Sequence, residues 1–159
     1  MDMDHLAWPF FAPSHRQFAR DFNHWVRADL SAFEQDEGGN GKVARHIFER
    51  LAGHDWLRRT LPERTDLERS RIDLRDVCLM REISAFSSAI ADVALSEPWL
   101  GILPIALFGS DELRDELLPG YLSGRLLPAF ALSEPDARMG ARRGPPTPDW
   151  PTFMLSSPG

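Results

Sequence analysis

Few residues of this chain have the types and spacing that chemistry needs. Ser133, Glu134 and Pro135 stand together in "LPAFALSEPDA", offering a hydroxyl, a carboxylate and a ring that stops regular backbone. By themselves they read as a turn that ends a strand, since Ser and Pro both favour turns. "GGNGKV" has the glycines and lysine of a phosphate-cradling loop. That loop also needs glycine at 36 and Ser or Thr at 43, where the chain has Asp36 and Val43. His5, His15, His24, His46 and His54 show no metal-ligand spacing, and His46 and His54 read as surface or interface residues. Gly109-Ser110-Asp111 lacks the second glycine of a nucleophile elbow, so Ser110 reads as a helix cap. Cys78 is the only cysteine, which excludes a disulfide within the chain and a thiolate zinc site. Its apolar surroundings predict a buried, inert thiol. "ALSEP" occurs at 94–98 and again at 131–135, and the two copies read as coincidence rather than repeat.

The elements that must position these residues belong to a single domain of 159 residues, 43% hydrophobic and 26% charged. A net charge of −6, with Lys42 the sole lysine, argues against general nucleic-acid binding. The N-terminal "MDMDHLAWPFF" is acidic where a targeting peptide is basic, and Pro9 interrupts it. The longest apolar run, Trp99 to Phe108, is shorter than the ~20 residues a membrane span requires. A cytoplasmic protein with no membrane partner is expected.

Hydrophobic period predicts a helix opening at Pro13, with Phe18, Phe22, Trp25, Val26 and Phe33 on one face. A second helix is expected from about Lys42 to Ala52, capped by Gly53. "HDWLRRTLPERTDLERS" reads as a polar surface connection. From Ile72 to about Leu95 the period predicts one long central helix, with Val77, Met80, Ile83, Phe86, Ile90 and Val93 inward. "EPWLGILPIALFG" reads as a buried segment kinked or restarted at Pro104. Ser110 caps "DELRDELL", which Pro119 and Gly120 are expected to stop. "LPAFALS" then reads as a short strand near 127–133. The last 22 residues hold five of the thirteen prolines, three arginines and three glycines, with no period. Residues 138–159 are therefore expected to be unstructured. Their bias is that of a GC-rich gene read out of frame or abruptly truncated, with a short natural form carrying a disordered tail as the alternative.

The order of these segments carries more than any one motif. "FGSDELRDELLPGYLSGRLLPAFALSEPDA", Phe108 to Ala137, resembles the segment closing the N-terminal helical domain of acyl-CoA dehydrogenases. "DLRDVCLMREISAFSSAIADVAL" and "LGILPIALFGS" are similar to the two helices before it, and "LAWPFFAPSHRQFARDFNHWVRADL" to the opening helix. The likeness spans residues 6 to 137. It implies an all-α fold with an N-terminal helical domain over 1–126, the start of a β-domain over 127–137, and the tail at 138–159.

The resemblance also implies a cofactor, FAD. Phe130 falls at an apolar or aromatic position near the isoalloxazine, and Leu132 and Ser133 fall where a backbone amide and a hydroxyl bond the ring. Donors aimed there stabilise negative charge as a flavin accepts hydride. Acyl-CoA as substrate, electron-transfer flavoprotein as acceptor and a homo-oligomeric parent enzyme follow from the same likeness. The chain departs from the family pattern after Ala137, where "GSD" gives way to Arg138, Met139 and Gly140. The family's glutamate base lies in a C-terminal helical domain that the chain does not match, and Glu134 does not take that role. No catalytic residue is assigned. The expectation is a fragment of an FAD-dependent acyl-CoA dehydrogenase that is inactive alone. The competing expectation is a non-catalytic all-α module that associates with a homologous subunit.

Overall fold

A computed structural model describes residues 2–30, 39–62 and 72–130 of the chain. Five α-helices make up most of it: α1 (Pro13–Trp25), α2 (Asn40–Gly53), α3 (Leu74–Ser87), α4 (Ala89–Phe108) and α5 (Asp111–Leu122). A π-helical turn, Val26–Leu30, extends α1, and short 3-10 helices stand at Asp4–Ala7 and Trp56–Thr60. The fold is all-α, and no strand occurs among the described residues.

One core joins these elements. Phe18, Phe22 and Trp25 of α1, Ile47, Phe48 and Leu51 of α2, Met80 and Ile83 of α3, and Leu95 and Ile102 of α4 are all buried in it. Helix α3 packs against α1 and α4, while α4 also meets α2 and α5. Helix α4 is 20 residues long with a mean hydropathy of 1.4, which meets the length and composition of a membrane span. Its contacts with three other helices mark it as the central helix of a packed bundle.

The expected long helix from Ile72 to Leu95 is two helices. Ser88 adopts extended backbone, φ −158° and ψ 135°, closing α3 and opening α4. Its N–H donates to Ser84 O at 2.8 Å, and Arg81 spans the junction with paired bonds to Asp92 at 2.8 and 2.7 Å. A continuous run of helix-compatible residues hides a one-residue break, because period alone does not register it. The inward face also differs from the expected one. Ala91, Ala94 and Leu95 are buried, whereas Phe86 is 66% and Val93 49% exposed.

Prolines behave differently from expectation too. Helix α4 runs unbroken through Pro98 and Pro104, which deprive the Ala94 and Leu100 carbonyls of their helical donors. Helix α5 continues past Pro119 and Gly120 to Leu122. Tyr121 explains the extension: it is wholly buried, bonded to Thr60 and packed on Phe48 at 5.7 Å between rings. The helix ends instead at Gly124, whose φ of +75° is the left-handed geometry that terminates helices.

Two further expectations need correction. The connection after His54 is not wholly a polar surface: Trp56–Thr60 forms a helical turn with Leu57 and Thr60 fully buried. Cys78 is exposed, because α3 turns its core face through Val77, Leu79 and Met80 and leaves position 78 outside.

Candidate functional site

The segment that leads to the Ser-Glu-Pro motif starts at the end of α5. Leu126 N–H donates to Gly120 O at 3.0 Å, Leu127 packs on the core and Pro128 is buried. Phe130 then emerges with 46% of its surface exposed. The short strand expected near 127–133 is not formed over 127–130: these residues have no neighbouring strand to pair with among the described residues, and a lone extended segment has no ladder. Leu132, Ser133, the rest of the 127–137 segment and the 138–159 tail lie outside the described residues.

Of the three residues expected at a cofactor, Phe130 alone lies among the described residues. Large aromatic side chains are normally packed away, and this one closes a segment that is itself held on the bundle.

The histidines divide by environment. His15 is buried, its Nδ1 accepting from the Ala12 amide at 2.9 Å. The ring must therefore carry its proton on Nε2, which donates to Asp73 Oδ2 at 2.9 Å. This pairing does the work of an N-cap at Ala12, whose own side chain has no acceptor. His5 lies 3.2 Å from Glu82. His24, His46 and His54 are on the surface, with His54 tilted against Trp25 at 5.3 Å. Among the described residues no group of three or more His, Cys, Asp or Glu is arranged to hold a metal.

Asp73 is the most strongly perturbed acid. Arg75 bonds both of its oxygens, at 2.8 and 2.7 Å, and with His15 holds the carboxyl well below the usual range against the opposing effect of burial. Asp73 also caps α3 by accepting from Arg75 N–H at 3.0 Å. Beside it lies a cleft of about 780 Å³ lined by Arg58, Arg59, Arg75, Asp55, Asp73 and Asp76, among others. Each arginine is matched there by an aspartate: Arg58 with Asp55, Arg59 with Asp76 and Arg75 with Asp73. Among the described residues the charges of the cleft are thus paired. Ser110 is a cap, as its spacing suggested, with Oγ accepting from Leu113 N–H at 3.3 Å.

The described residues thus form an all-α bundle with a segment seated on it that ends in an exposed aromatic. Residues 12–125 match the family described as "Acyl-CoA dehydrogenase, N-terminal domain", and the chain belongs to the acyl-CoA dehydrogenase family. It is similar to acyl-CoA dehydrogenase apdG of Emericella nidulans, with 25% identity over 148 residues covering 83% of this chain and 34% of that protein. It is also similar to acyl-CoA dehydrogenase FadE12 of Mycobacterium tuberculosis H37Rv and its Mycobacterium bovis counterpart, each 41% identical over 59 residues. These matches cover 37% of this chain and 15% of each relative. The chain thus spans about a third or less of the curated relatives it matches. Its family generally uses FAD.

Proposed function

We propose that this chain is the N-terminal helical part of an FAD-dependent acyl-CoA dehydrogenase, and that by itself it does not turn over. The observation that supports the reading is Phe130, an exposed aromatic at the end of a seated segment, at a position that the family resemblance implies lies near the flavin. When bound, FAD supplies the acceptor for the β-hydride of an acyl thioester. In this reading Phe130 would pack on the ring, and the Leu132 amide and the Ser133 hydroxyl would donate to it and offset the negative charge of reduction. Proton abstraction falls to a glutamate beyond the matched region, and removing such a base costs orders of magnitude in rate. Acyl-CoA, an electron-transfer flavoprotein, homologous subunits and a cytoplasmic setting belong to the same reading. So does the assignment of 127–137 to the start of a β-domain and of 138–159 to an unstructured tail.

Titrating FAD with the purified chain, followed by flavin fluorescence, tests the cofactor. Quenching that weakens on Phe130→Ala supports the reading, and quenching indifferent to that change opposes it. Acyl-CoA-dependent reduction of an artificial electron acceptor by the chain alone overturns the claim of inactivity.

A second reading, an all-α module that associates with a homologous subunit, is favoured by one observation. Val93, Leu100 and Phe108 lie along one side of α4 at helical spacing, all exposed, with Phe108 at 85%. These exposed apolar side chains, with the exposed Glu97 between the first two, are a candidate surface for burial against another body.

A further inference from the structure

We propose that Gly101, in the middle of α4, is a positioning residue that seats the segment 126–130 and so fixes where Phe130 is presented. What it positions rests on the flavin reading above; that it positions the segment does not. A glycine inside a helix costs about 1 kcal/mol relative to alanine, so this one calls for a reason. Its surroundings supply it. A Cβ at 101 would stand 2.9 Å from Ala129 N, 2.9 Å from Pro128 C and 2.9 Å from Pro128 Cβ. Two of those atoms are backbone, so no rotamer change relieves the clash. The helix presents a notch one methyl deep, and buried Pro128 fills it.

The seat has a second point of support. A Cβ at Gly120 would meet Leu126 Cβ at 3.0 Å, next to the bond from Leu126 N–H to Gly120 O at 3.0 Å. Gly120 therefore fixes where the segment begins, and Gly101 fixes where it crosses α4. Phe130 follows one residue after Ala129, the last atom donor to the notch, too few bonds away for the chain to correct a displaced crossing. Any side chain at 101 lifts Pro128 and Ala129 off the helix and moves Phe130 with them.

Cys78 is exposed and unique, which permits a direct test in the full chain. Replacing Phe130 by Cys gives two sites for nitroxide labels, and the 78–130 distance distribution is read by double electron–electron resonance. A single narrow distance is expected with Gly101, and Gly101→Ala in that background should shift or broaden it with helix content unchanged. Because Gly101→Ala can prevent folding outright, Pro128→Gly is measured beside it. That change empties the notch without touching α4, and it should also broaden the distribution. A distribution unaltered in either folded variant overturns the proposal. Flavin quenching is measured separately on the unlabelled chain and its Gly101→Ala variant. If the parent chain fails to bind FAD, the flavin reading falls while the distance result still decides the role of Gly101.

Discussion

Tyr121 and Thr60, 61 positions apart, meet in the core with their hydroxyl oxygens 2.9 Å apart. The Thr60 hydroxyl donates to Leu57 O at 2.7 Å, so Tyr121 must be the donor of the shared bond. Burial pushes the Tyr121 phenol far above its ordinary value, which keeps that proton in place. The two halves of the pair are therefore unequal. Tyr121→Phe leaves only an acceptor short and is expected to cost about 1 kcal/mol. Thr60→Val strands a buried phenol proton, and should cost about 2–3 kcal/mol. Urea denaturation of both variants checks the order, and equal losses would contradict it.

Asp73 ties three pieces together: it caps α3, bonds His15 of α1, and holds Arg75, whose other arm donates to Phe10 O at 2.7 Å. Its folded pKa is depressed, chiefly by Arg75, so the unfolded chain takes up the proton first as pH falls. The stabilisation is complete above the unfolded value of about 3.9 and drains away below it, toward the depressed folded value. Thermal melts from about pH 6 down to pH 2.5 should show Asp73→Asn less stable at the upper end and converging with the parent at the lower. Parallel curves would remove Asp73 from the acid limb.

Glycines 124 and 41 should respond in opposite directions to alanine. At Gly124 the φ of +75° and an Ala52 Cβ only 3.0 Å from the new methyl make the change destabilising, by about 1–2 kcal/mol. Gly41 lies in α2 with nothing within 4 Å of an added Cβ, so Gly41→Ala should stabilise by up to about 1 kcal/mol. Calorimetric melting of the two variants gives the signs.

Phe108→Ser probes the exposed stripe of α4. With 85% of the ring already in solvent, stability should change by less than about 0.5 kcal/mol. Self-association, measured by sedimentation velocity across a concentration series, should fall. Unchanged association would mean that the stripe is not the contact surface.

Helical class and family were legible in the sequence because both rest on long-range order: the 3.6-residue period in α1 and α2, and the succession of segments from Leu6 to Ala137. What escaped was decided by contacts. Ser88 breaks a helix that its neighbours would continue, and nothing in its own type separates it from Ser87. Pro104 looked like a kink or restart and Pro119 like a helix stop, but packing on both flanks of α4 and the anchoring of Tyr121 outweigh the bonds they remove. Cys78 looked buried because its neighbours Val77, Leu79 and Met80 are, yet one step along a helix is 100° around it. Of the candidate site, the family likeness singled out Phe130 as an expectation. Gly101 could not be singled out, since a notch exists only once Pro128 has been laid across it.

The core that holds Leu6 at one end and Tyr121 at the other has a consequence for synthesis on the ribosome. Thr60 leaves the exit tunnel long before its partner in α5 has been translated, and Trp99, which donates to Thr60 O at 2.9 Å, arrives between them. Until α5 emerges, the nascent chain carries a central apolar helix with one flank uncovered. The last of the described helices, α5, closes this bundle, and before that closure apolar surface that the fold buries stands open to water.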